Sequence, residues 1–292
     1  SSLRRFNRWD AAFFLAAFVF LYTQLFQLPF TPYYFEGDHL LPVSNAMRLI
    51  AGEVMYRDFF HLTPPGAELW YVSLFSIFGV RVWLLNFTIL LLNLGVAGFA
   101  WSFSRRLFDG AAVYLAPALH LIVGFRMFYV DGSYRLFSVL LAFAAVASMM
   151  RGSRPRRIVS AGVFCGLASF FVQTRGVMAL LGVGLFLVWE HFRGAREDRS
   201  LFSKALYLVL PFAATVALTH AYFAWTAGFD NYYFSLVTFV QKHYPNDPLS
   251  NRDAFLADLP DIGQYLSIYT PIAAVSRYLR VAVPGIFFYA LV

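Results

Sequence analysis

Val82-Trp-Leu-Leu-Asn-Phe-Thr-Ile-Leu-Leu-Leu-Asn-Leu-Gly-Val-Ala-Gly-Phe-Ala-Trp-Ser-Phe103 runs without a charged side chain and is bounded by Arg81 on one side and Arg105-Arg106 on the other. About 20 apolar residues in a helix cross the hydrocarbon core of a bilayer. Similar stretches lie at Asp10 to Leu28, Ala111 to Phe128, Tyr134 to Met150, Ile158 to Val172, Val177 to Phe192 and Ala205 to Thr226, and an eighth starts near Val281 and reaches Val292. The sequence therefore predicts an all-α fold, a polytopic transmembrane helical bundle of about 8 spans forming one domain over residues 1–292.

Composition agrees. Of 292 residues, 60% are hydrophobic and 13% charged, 34 are Phe, and mean hydropathy is +0.61. A soluble domain carries about 25% charged residues and could not cover so much apolar surface. The one cysteine, Cys165, lies inside an apolar run, which excludes an intrachain disulfide and a cysteine-based zinc site. The first apolar run, from Ala11 to Leu28, is longer than a signal-peptide core and lacks a small-residue cleavage site, so it reads as a retained signal anchor. Because the eighth run stops inside an apolar helix, the chain is expected to be part of a longer protein.

A net charge of +7 and a pI near 9.6 would suit a nucleic-acid binder, but the position of the charge argues otherwise. Arg4, Arg5 and Arg8, then Arg105 and Arg106, then Arg151, Arg154, Arg156 and Arg157, then Arg193, Arg196, Arg199 and Lys204 fall in alternate connecting segments. Positive charge stays on the cytoplasmic side, so the N-terminus is predicted inside. Topology and anionic lipid headgroups account for these basic residues, and no nucleic-acid partner is implied.

The opposite face is then left with a long first loop at 29–81, short turns near Asp131 and Arg175, and a long loop at 228–280. In the first loop, Pro42 to Ala51 has a helical apolar period at Val43, Ala46, Met47 and Ile50 and a stop at Gly52, which predicts a short helix on the membrane surface. After Pro64-Pro65, Gly66 to Phe78 predicts a second apolar helix, too short to cross.

That loop carries Glu36 and Asp38 after the first span, then Tyr56-Arg57-Asp58-Phe59, the Pro64-Pro65-Gly66 turn and an aromatic helix ending at Phe78-Gly79. In this order the pieces resemble the first outer loop of the integral-membrane GT-C glycosyltransferases, in particular the protein O-mannosyltransferase and aminoarabinose-transferase branch. The resemblance covers roughly residues 10 to 190. It implies an inverting glycosyltransferase that moves one sugar from a polyprenyl-phosphate donor to a glycan, lipid or protein hydroxyl on the periplasmic or outer face, and a multi-pass protein of a bacterial inner membrane.

The chemistry suits the residues. An acceptor hydroxyl needs a carboxylate to take its proton as attack develops, and Asp38, which matches the family's loop-one Asp, is the expected catalytic base. His39 stands where the family often has a second acid. The leaving lipid phosphate needs cationic partners at the interface. Arg135 and Arg175, at span ends, are expected to meet it, with help from Arg57 and His61 in the first loop and Lys242 and His243 in the last. Glu36, Asp58 and Asp131 complete the substrate-binding candidates, although the favoured role of Asp58 is to hold the loop together through Arg57 or a helix N-terminus, and Asp131 could cap the helix after it.

No organic cofactor is expected. If a divalent metal is used, Asp38 and Asp131 would bridge it, but His39, His61 and His243 lack the spacing of a zinc site. His120 and His220, inside spans, suit helix-to-helix hydrogen bonds as well as function. The sequon Asn86-Phe87-Thr88 falls within a span and is discounted. Two other readings stay open: a membrane transporter or lipid flippase, against which the absence of repeated halves argues, and a non-catalytic membrane partner.

Overall fold

The structure is a computed structural model that describes residues 6–27, 29, 31–33, 40–124, 132–150, 152–193 and 200–242. The eighth expected span, the 243–280 part of the last loop, and Glu36, Asp38, His39, Asp131 and His243 lie outside them. The chain divides into a unit at 1–240 and another at 241–292, of which Gln241 and Lys242 are described.

Helix α1 (Arg8–Leu25) starts at a capping box. The Asn7 Oδ1 accepts from the backbone N–H of Trp9 and Asp10, while Asp10 Oδ2 accepts from Asn7 N at 2.8 Å. The other Asp10 oxygen takes hydrogen bonds from Trp101 Nε1 at 3.0 Å and the Tyr114 hydroxyl at 2.7 Å, so the same side chain that begins α1 fastens it to the next long helix. A two-residue antiparallel pair, β1 (Phe26–Gln27) with β2 (Thr31–Pro32), turns the chain out of α1.

Helices α2 (Leu41–Ile50) and α3 (Gly66–Phe78) fall where the first loop predicts them. Gly52 has φ +93°, the left-handed conformation that ends α2 at little cost for glycine. Helix α4 (Trp83–Leu107) follows. After α4 the apolar stretch expected from Ala111 to Phe128 breaks into a 3₁₀ turn (Gly110–Tyr114), a short α5 (Leu115–Leu119) and a π turn (His120–Gly124), with Pro117 inside α5. Proline removes a backbone donor and clashes with the preceding turn, which suits a segment that does not settle into one helix.

Four more elements follow: α6 (Tyr134–Met149), α7 (Pro155–Phe171), α8 (Gln173–Phe192) and α9 (Leu201–Ala227). Past them lie α10 (Phe229–Tyr233), a π turn (Phe234–Thr238) and α11 (Phe239–Lys242). One core joins α1, α3 and α4 through Leu21, Leu25, Tyr71, Leu84, Ile89 and Leu90, and another joins α6 to α9 through Ala145, Ile158, Cys165, Leu187 and Leu208. Helix α7 sits against α9 closely enough to need glycine. A Cβ on Gly162 would lie 2.3 Å from the Leu208 carbonyl oxygen, and one on Gly166 would lie 3.0 Å from that of Phe212. The four-residue spacing of these glycines is a small-residue contact of the kind that packs helices in membranes.

Among the described residues the architecture is all-α apart from the β1–β2 pair. Against eight expected spans, three described helices are long and apolar enough to cross a membrane: α4, α8 and α9. The other candidates fall short for separate reasons. α1 holds Arg8 and Asp10 at one end and Tyr22-Thr23-Gln24 at the other within 18 residues, α7 opens on Pro155-Arg156-Arg157 and has 17, and α6 has 16. Of the apolar windows, 56% of that in α4 is buried and only 11% of that in α9, so α9 turns Leu210, Leu218 and Trp225 outward. Such a face is expected of a helix whose surroundings are themselves apolar.

Candidate functional site

The segments predicted on the outer face come together at one end of the helices. Tyr71 of α3 donates its hydroxyl to the Gly132 carbonyl at 2.7 Å just before α6, and Trp70 rests edge-on against Phe137 of α6, which stacks on Phe171 at the end of α7. At the start of α3, a Cβ on Gly66 would lie 2.7 Å from the Phe170 carbonyl oxygen, so glycine permits this approach. Asn86, in the discounted sequon, is buried at the near end of α4 and gives its amide to the carbonyls of Leu25 at 2.7 Å and Tyr33 at 3.0 Å.

Inside the first loop, four polar side chains meet away from water. His61, at 4% exposure, places Nε2 2.9 Å from Glu68 Oε1 and 2.6 Å from Thr63 Oγ1, while its Nδ1 lies 3.3 Å from Asn45 Nδ2. The same amide nitrogen is 3.5 Å from Glu68 Oε1, as a donor should be. An amide N–H₂ only donates, so His61 Nδ1 accepts from Asn45, while Nε2 hydrogen-bonds the Thr63 hydroxyl and stands beside the Glu68 carboxylate. Glu68 is fully buried, and its Oε2 has no hydrogen-bond partner among the described residues. A buried carboxylate oxygen in that condition is costly.

Tyr56 covers the cluster. Its hydroxyl donates to the Thr63 carbonyl at 2.7 Å, and its ring meets Tyr232 of α10 and Phe223 of α9 edge-on. Burial, then the nearby Tyr232 and Glu68, push its phenol well above the ordinary value. The Tyr232 hydroxyl in turn hydrogen-bonds His220 Nδ1, and burial raises its phenol too. Both hydroxyls therefore stay protonated at neutral pH, and that of Tyr56 donates to the Thr63 carbonyl. Tyr56 adopts φ +68°, a left-handed conformation rare for a bulky residue.

That conformation belongs to a tight turn. Tyr56 N donates to the Phe59 carbonyl at 2.9 Å and Asp58 N to that of Val54 at 2.8 Å. Asp58 Oδ2 accepts from Val54 N at 2.7 Å, and the carboxylate takes two hydrogen bonds from Arg57, at 2.9 and 3.0 Å. The Arg57 bond and then the Val54 N–H hold the Asp58 carboxyl down at about 2. Of the two readings open for Asp58, the structure shows the pinning contacts, and Arg57 is engaged in them.

Arg175, in the first turn of α8, donates through Nη1 to the Arg135 carbonyl at 2.7 Å and to Ser138 Oγ at 3.1 Å. It thereby joins the starts of α8 and α6. The Arg135 guanidinium lies at the same helix end, 5.7 Å from the Tyr134 ring centre. Two arginines beside two helix N-termini concentrate positive potential there. Lys242 closes α11 and is exposed.

Of the expected site residues, His61, Arg57, Asp58, Arg135, Arg175 and Lys242 are among the described ones, and His61 is the most deeply buried. Among the described residues no group of three His, Cys, Asp or Glu side chains gathers, and the pair invoked for a metal, Asp38 and Asp131, lies outside them. Sequence reasoning does not single out Glu68, Asn45 or Thr63, and meets Tyr56 and Tyr232 only as members of loop patterns. Glu68 had a usable signal: it is the one charged residue of an otherwise apolar α3, and a carboxylate in such a helix needs a partner. No protein-family model matches the chain, and neither a curated protein nor a solved structure does.

Proposed function

We propose that the chain is the membrane part of an inverting glycosyltransferase acting on a polyprenyl-phosphate sugar, with Asp38 as general base. The supporting observation is that Arg175 and Arg135 stand together at the starts of α8 and α6, at the same helix end as the folded first loop. In this reading the acceptor hydroxyl attacks the anomeric carbon and its proton passes to Asp38. The bond from that carbon to the phosphate oxygen breaks, and polyprenyl phosphate leaves with its charge balanced by the two guanidinium groups. The His61–Glu68 pair fixes the loop that follows Asp38 and does not itself meet substrate.

The same reading takes the chain as a bundle of about eight spans in a bacterial inner membrane, N-terminus cytoplasmic and site periplasmic, extended by the segments outside the described residues. A glycan, lipid or protein acceptor would need the same base and phosphate clamp. The test is sugar transfer by membranes containing the full-length protein, with a panel of radiolabelled polyprenyl-phosphate sugars. Asp38→Asn is expected to lower transfer by roughly 10²–10⁴-fold while donor binding persists. Unchanged transfer in that variant removes Asp38 from the role, and no transfer from any donor overturns the reading in favour of a transporter or a non-catalytic partner.

A further inference from the structure

At the other end of the helices α4, α6 and α7 part to leave a cavity of about 400 Å³. Its polar lining is Arg106, Arg157, Ser102, Ser148 and Ser160, and no Asp or Glu is among the described residues that form it. Phe99, Phe164 and Ala144 supply an apolar wall deeper along the helices. We propose that this cavity is a binding site for the phosphate of an anionic phospholipid, with its glycerol and first acyl carbons against the apolar wall.

The cavity is built by the fold and does not arise from a loose surface. Arg106 Nη1 donates to the Met150 carbonyl at 2.9 Å, which ties the end of α4 to the end of α6 and holds the guanidinium at the rim. Arg157 is in the first turn of α7, where the helix dipole adds positive potential. Guanidinium groups bind phosphate through charge-assisted and bidentate hydrogen bonds and shed water more readily than ammonium groups. Ser148 and Ser160 now donate to the carbonyls of Ala144 and Arg156, and a hydroxyl rotor can redirect its proton to a phosphate oxygen.

Polarity is graded along the cavity: cations and hydroxyls at the helix ends, rings and methyl groups further in. A free inorganic anion would gain nothing from the inner wall, whereas a phospholipid presents both parts in that order. The volume is also in the roughly 300–1,000 Å³ range of small-molecule pockets. The proposal needs these helices to lie in a bilayer and does not depend on the transferase reading.

The experiment is native mass spectrometry of the full chain in a non-ionic detergent, titrated separately with phosphatidylglycerol, phosphatidylcholine and inorganic phosphate. Phosphatidylglycerol is expected to bind, and Arg106→Gln and Arg157→Gln are each expected to weaken it roughly tenfold, the scale of one lost charge-assisted bond. Arg105→Gln is expected to leave it unchanged, since that guanidinium lies over the Trp101 ring at 4.3 Å and does not line the cavity. Because Arg106→Gln also removes a contact between helices, Ser160→Phe provides a second arm: it fills the exposed mouth with both arginines in place and should abolish retention. Equal retention of phosphatidylcholine, equally tight binding of inorganic phosphate, or phosphatidylglycerol retention unchanged in both glutamine variants would each overturn the proposal.

Discussion

The first loop and the arginine cavity both sit where helices end, yet they treat polar groups in opposite ways. In the loop, His61, Glu68 and Asn45 are buried against one another, and Glu68 Oε2 has no hydrogen-bond partner among the described residues. At the cavity, Arg106 and Arg157 stand on an open rim above apolar walls. A buried, mutually bonded cluster fixes one geometry and is intolerant of losing a member. A rim open to solvent leaves guanidinium groups within reach of a ligand even where they also hold a neighbour, as Arg106 holds the Met150 carbonyl.

The largest test of that contrast is Glu68→Ala. It takes the buried carboxylate away from His61 Nε2 and from the Asn45 amide, and the expected loss is about 3 kcal/mol, read from unfolding of the detergent-solubilised protein. Arg157→Gln at the rim is expected within about 0.5 kcal/mol of the parent; a loss as large as that of Glu68→Ala would erase the distinction. Gly166→Leu should come next, at about 2 kcal/mol, because the new side chain must push α9 away from α7. Unfolding equal to the parent would mean that the close α7–α9 approach does not exist. Tyr232→Phe removes the hydroxyl bonded to His220 and should cost about 1 kcal/mol, with the loop otherwise intact.

The smallest effect is local and depends on pH. The folded Asp58 carboxyl titrates at about 2, below its usual 3.8, so its contribution to the turn is present above 3.8 and is lost as pH falls toward 2. Proteolysis beside Phe60 by an acid-active protease is therefore expected to rise between those values and to be flat from there to neutrality. In Asp58→Asn the turn should already be open to a neutral protease at pH 7, and equal cleavage of parent and variant would detach Asp58 from the turn.

Much of this organisation is legible in the residues. Pro64-Pro65-Gly66 marks the start of α3 and Gly52 the end of α2, because proline and glycine restrict or free the backbone whatever surrounds them. The existence of α4, α8 and α9 follows from apolar length, but each runs four residues past one expected end to include Arg105 and Arg106, Arg175, or Lys204. The changes of helix type over 110–124 are not legible in the sequence, because these residues are as apolar as those of a span and apolar content does not report the hydrogen-bond pattern. The loop cluster was half seen: His61 was singled out by its chemistry, but Glu68 and Asn45 acquire meaning only when α2 and α3 pack together, which no local pattern encodes. Asp38 was chosen through a resemblance, and its surroundings lie outside the described residues.

The spacing of the loop contacts along the chain has a consequence for how the protein assembles. Asn45 and Glu68 are 23 positions apart, whereas the bonds that seat α3 beneath Gly132 and α4 beneath Leu25 each join residues 61 apart. Short closures cost less chain entropy and can form before the distant partners have been synthesised. The α2–α3 cap is thus expected to exist first, as a preformed plug onto which the later helices gather. A pulse of amide exchange during refolding should find its hydrogen bonds protected ahead of the Tyr71 contact, and simultaneous protection would mean that the cap has no life of its own.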